Sequence, residues 1–97
     1  MSGEIYDVSI KVVSQKGYCA MGHKVGDKWI IKGYITPGAI CMGAFGAIFP
    51  VVGVMAFNGI YPWSKDPDCE VVACADAQNP VVFEVRRLKK GPESIVA

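Results

Sequence analysis

Apolar and polar positions alternate with period two from Ile5 to Gln15. Tyr6, Val8, Ile10 and Val12 fall on one side and Asp7, Ser9 and Lys11 on the other. With β-branched residues at most apolar positions, this pattern predicts a half-buried strand. Lys16-Gly17 then turns the chain into a loop that carries Cys19, Gly22 and His23, and Val25-Gly26-Asp27 turns it again into a second strand over 27–34. Trp29 and Ile31 face one way in that strand.

After Thr36-Pro37-Gly38 the pattern changes, and Ala39 to Phe57 carries no charge. Thr36 as a cap and Pro37 in the first turn suit the start of a helix. On that helix Cys41, Phe45, Ile48, Val52 and Met55 share a face, while Ala39, Gly43 and Ala47 form a stripe of small residues. Pro50 predicts a kink or an end. Asn58-Gly59 is a turn dipeptide leading into the aromatic loop Tyr61-Pro62-Trp63, and Ser64 to Asp68 continues as loop. A short strand over 70–74, a turn over 76–80 and a strand over 81–88, with Val81, Phe83 and Val85 inward, read as a hairpin.

Strand, strand, helix and hairpin predict an α+β fold: a small antiparallel sheet or partly closed barrel with one buried apolar helix. The 97 residues fit a single domain, 1–97, with an ordered core over 5–89 and a flexible tail over 91–97. The uncharged segment is long enough to span a bilayer, and its small residues would suit packing there. Pro50, the glycines and the lack of basic flanks argue instead for a helix that covers the sheet, so a membrane location is disfavoured. The chain is 52% hydrophobic and 20% charged, more apolar than a small monomer readily hides. A homo-oligomer formed through the apolar helix is therefore expected.

A net charge of +1 gives no reason to expect nucleic acid. The one basic run, Arg86-Arg87-Leu88-Lys89-Lys90, reads as a solvated strand end. The N-terminal residues lack the basic and apolar regions of a signal peptide, which points to the cytoplasm, where cysteines stay reduced, bind metal or react. There is no Gly-rich phosphate loop and no Ser-centred nucleophile motif.

The four cysteines and the single histidine carry the candidate chemistry. Zinc takes three or four thiolate or imidazole ligands in a tetrahedron, and Cys19, His23, Cys41 and Cys74 supply such a set from separate segments. Iron accepts the same ligands, so the expected cofactor is zinc or iron, either closed or with a position open to a small-molecule ligand. A second reading is catalytic: a Cys41 nucleophile at a helix entrance, with His23 taking its proton, in a thiol- or metal-dependent enzyme. In this scheme Asp27 would orient His23. In the third reading the cysteines are simply small buried hydrophobes, and the protein is an accessory subunit docking through its helix. Cys69 and Cys74 make a weak redox pair. Tyr34, Trp29, Tyr61 and Trp63 are expected to pack rather than to line a pocket.

The ordered set Cys19, Gly22-His23-Lys24-Val25-Gly26-Asp27, Pro37-Gly38-Ala39-Ile40-Cys41, Tyr61-Pro62-Trp63, Ala73-Cys74 and Asn79-Pro80-Val81-Val82-Phe83-Glu84 resembles a family of small proteins common in anaerobic bacteria and archaea. The likeness runs from Tyr6 to Arg87. Members have no assigned activity, so the resemblance implies a small cytosolic protein. It also implies cysteines at the positions of Cys19, Cys41 and Cys74 and a histidine at His23. Cys69 stands outside that pattern. Members tend to have a proline where this chain has Met42, and a more polar helix.

Overall fold

The computed structural model describes residues 5–88. It contains β1 (Val8–Gln15), β2 (Lys28–Ile31), α1 (Met42–Ala56), β3 (Cys69–Ala73) and β4 (Val81–Arg87). The strands form one antiparallel sheet in the order β2-β1-β4-β3. The sheet is open rather than a closed barrel, with β2 and β3 as its edges, and α1 lies across one face. The tail over 91–97 and the two lysines that end the basic run fall outside the described residues.

Alternation sets which side chains reach the helix. Val8, Ile10 and Val12 of β1, Ile31 of β2 and Val81, Phe83 and Val85 of β4 are buried against Ala44, Ile48, Val51, Val52, Met55 and Ala56 of α1. A bulge between Val12 and Ser14 shifts the β1–β4 register and leaves Val13 half-exposed. Among the described residues no helix covers the far face of the sheet, and Ile30 and Val71 lie there exposed.

The helix starts later than the sequence predicts. Ala39 has φ +65°, a left-handed conformation that no α-helix continues through, so the helix does not begin at Thr36-Pro37, and Cys41 is its N-cap residue. Ala39 therefore lies off the helix, and the small-residue stripe is not continuous on it. Pro50 neither ends nor interrupts α1. Pro50 and Gly46, whose carbonyl loses a partner to the proline, are both on the exposed side, so that carbonyl is not buried without a partner. At the other end Asn58, with φ +62°, closes a Schellman motif: Gly59 N–H donates to the Val54 carbonyl at 2.7 Å and Asn58 N–H to that of Met55 at 3.3 Å.

Arg87 corrects the reading of the basic run. It is 7% exposed and points into the core end of β4, in phase with Val81, Phe83 and Val85. Its guanidinium donates to Asn58 Oδ1, the Gly59 carbonyl and the Pro67 carbonyl, each at 2.7 Å, and lies 5.8 Å from the Tyr6 ring centroid. Nε stands 3.4 Å from Asp68 Oδ1, an ion pair without a hydrogen bond. One side chain thus ties the helix exit to the loop before β3.

Candidate functional site

At the opposite end of the helix and sheet, four candidate residues meet. Cys19, His23, Cys41 and Cys74 all line one cavity of about 280 Å³, with Ala44, Val81 and Phe83 forming part of its wall. Cys19 comes from the β1–β2 loop, Cys41 from the helix N-cap and Cys74 from the residue after β3. All three pack against the hydrophobic core, and none is in a disulfide. Cys69 does not reach the cavity. It pairs with Arg86 across β3 and β4 on the opposite face of the sheet. Burial raises its thiol pKa; Arg86 opposes the rise, and Glu84 and Asp66 add to it.

His23 joins the site through the backbone of Cys41. Its Nε2 accepts a hydrogen bond from the Cys41 N–H at 2.9 Å, which places the ring proton on Nδ1 in the tautomer this network assigns. That bond satisfies one of the helix's orphan N-terminal groups, a task otherwise left to a side-chain cap, of which α1 has none. The ring is 8% exposed and is held edge-on by Trp29 at 5.1 Å and Phe83 at 6.4 Å. Asp27 Oδ2 lies 4.0 Å from Nδ1, too far for a hydrogen bond, and accepts from the Lys24 N–H instead.

With its N–H on His23 and its carbonyl accepting from Phe45 N–H at 2.9 Å, Cys41 has only its thiol uncommitted. A Cβ on Gly43 would come within 3.9 Å of that sulfur, so the thiol lies over the first helical turn. The Cys74 sulfur is fixed differently. It accepts from the Val81 N–H at 3.3 Å, and Cys74 N–H in turn donates to the Val81 carbonyl.

The polar residues at the rim bind each other. Asp76 Oδ1 accepts from the N–H groups of Gln78 and Asn79, and Oδ2 accepts from Asn79 Nδ2. The Asn79 side chain, then its N–H and that of Gln78, lower the Asp76 pKa. Asn79 Oδ1 then accepts from the Tyr18 N–H at 3.0 Å, joining the β3–β4 turn to the loop that carries Cys19. A Cβ at Gly17 would land on that same Oδ1, and its φ of +67° favours glycine independently.

Among the described residues, no group of three or more His, Cys, Asp and Glu is placed to hold a metal ion. Trp29, Tyr34, Tyr61 and Trp63 lie outside the cavity wall. Tyr61 stacks on Trp63 at 4.8 Å, Trp63 Nε1 donates to Glu70, and Tyr34 packs on Phe57. No helix among the described residues is long and apolar enough to cross a membrane. No family model, curated protein or solved structure matches the chain.

Proposed function

We propose that the protein binds a soft metal centre through the thiolates of Cys19, Cys41 and Cys74, in a cavity that keeps room for a small-molecule ligand. The observation that carries this reading is the convergence of three cysteines from three separate segments on one largely apolar wall. Thiolates are ligands for zinc and iron, and an apolar surround strengthens the interaction by keeping water away. His23 serves as the residue that fixes Cys41, because its Nε2 lone pair is already taken by the Cys41 N–H. That same contact weighs against a Cys41–His23 catalytic pair, since the imidazole meets the backbone of Cys41 and not its thiol.

The test is elemental measurement on protein purified without oxygen, for the native chain and single Cys→Ser variants. Bound zinc or iron that falls sharply in Cys19→Ser, Cys41→Ser and Cys74→Ser, but not in Cys69→Ser, is the expected result. His23→Phe keeps the ring packing and removes the acceptor, so metal affinity should drop about tenfold, the scale seen for residues behind metal ligands. A native chain free of metal after purification and after incubation with zinc or with iron would sink the proposal.

A further inference from the structure

We propose that the outer face of α1 is the interface of a symmetric dimer, in which a second copy of the chain packs its own α1 antiparallel across it.

The face follows one seam. Met42, Gly46, Phe49, Gly53 and the C-cap residue Phe57 succeed one another at steps of four, three, four and four. That is the spacing of a helix–helix seam. The opposite side of the helix, with Ala44, Ile48, Val51, Val52 and Met55, is already buried against the sheet.

Relief along the seam is self-complementary. Gly46 is a notch, since a Cβ there would meet nothing within 4 Å. Gly53 is capped, because a Cβ there would come 3.6 Å from the Tyr34 hydroxyl. The Tyr34 ring rests beside Phe49 and Phe57, with centroids 6.3 and 4.8 Å away. Gly46 and Gly53 stand at equal distances from the middle of the seam, beside Phe49. A two-fold axis through that point sets the tyrosine of each copy into the notch of the other. It also brings Met42 opposite the partner's Phe57 and the two Phe49 rings together, as an isologous interface requires.

Exposed area agrees with this occupant. Met42, Phe49 and Phe57 are 89%, 49% and 55% exposed, and at roughly 200 Å² per large side chain they present about 400 Å². Two copies, with Pro50 and the partly exposed Phe45, Val54 and Tyr34 added, pass the total of about 1,000 Å² that specific interfaces need. Charge agrees as well. No residue of α1 is charged, so pairing desolvates no ion, and antiparallel helices set opposite dipole ends side by side. A bilayer surface is the competing apolar occupant, but interfacial helices carry Lys and Arg beside their apolar face, and α1 has none. None of the seam residues lines the thiol cavity, so assembly and metal binding are separable.

Sedimentation equilibrium of the full chain with reductant, at micromolar concentration, tests the interface. The expected mass is twice the 10.4 kDa of one chain. Met42→Glu, whose acid suits the first helical turn, and Phe57→Lys, whose base suits the last, should each be monomeric. Gly46→Gln fills the notch with a better helix former, and it too should be monomeric. Far-UV circular dichroism of all three should match the native chain, which separates lost assembly from lost fold. Mixing Met42→Glu with Phe57→Lys should yield a heterodimer, since the antiparallel register faces residue 42 with residue 57. Failure of that mixture to pair overturns the register. A dimer that survives all three substitutions overturns the placement. A native monomer overturns the proposal, and one that co-sediments with phosphatidylcholine vesicles assigns the face to a bilayer instead.

Discussion

The two ends of the helix-on-sheet core are built on opposite plans. At the helix exit, Arg87 fills the space between α1, β4 and the 58–68 loop, and its hydrogen bonds go to acceptors on both sides. At the helix entrance a pocket of about 280 Å³ stays open, and its wall carries three thiols beside Ala44, Val81 and Phe83. The exit is filled by a buried, hydrogen-bonded side chain, whereas the entrance opens to solvent. The closed end ties the helix to the sheet, and the open end carries the proposed metal site.

Substitutions can break or sharpen this contrast. The largest effect is expected from Arg87→Met, which keeps an apolar stem but strands the acceptors at Asn58, Gly59 and Pro67. Urea unfolding should show a loss of about 3 kcal/mol, the scale for removing one side of a buried charged network. A loss no larger than that of an exposed arginine would mean that the exit end is not held by this residue. Ala44→Leu acts on the other end and in the opposite direction. Ala44 lines the cavity and is 2% exposed, so a larger side chain should fill the void and raise stability by about 1 kcal/mol while metal uptake falls. A destabilised variant that still binds metal would show that the entrance is already packed.

The smallest effect concerns the rim. Folding lowers the Asp76 pKa through the Asn79 side chain first and the turn N–H groups after it. The ionised form is therefore the one that folding favours. This contribution is complete above the ordinary carboxylate range and is lost as the pH falls through that range and below the depressed folded value. Urea midpoints followed from neutral pH to about pH 3 should decline less steeply in Asn79→Ala than in the native chain, because the variant has less of the shift to lose. Parallel profiles would remove Asp76 from the rim's stability.

Much of this contrast can be read from residue order, and the failures have physical causes. Period two placed Val8, Ile10 and Val12 correctly, and the hairpin of β3 and β4 follows from its turn residues. The same alternation places Arg87 in phase with Val81, Phe83 and Val85, a signal that its neighbours Arg86 and Lys89 obscure by making a charge run. Parity also separates two like residues: Cys74 continues the phase of Val72, which packs on the core, while Cys69 shares the outer phase of Val71. The bond from the Cys41 N–H to His23 has no such signal. It joins a backbone group to a side chain far away in sequence, and a backbone N–H looks the same at every residue but proline. The late start of the helix was hidden for a related reason, because the left-handed turn falls on Ala39, a residue with no preference for it.

Gly17 and Asn79 meet without room for a methyl group between them. Over evolutionary time this makes the two positions a linked pair. A descendant that keeps the asparagine is confined to glycine at 17, whereas one that first loses the asparagine is free of the clash there. Drift at the cavity's lip should then run through the asparagine before it reaches the glycine.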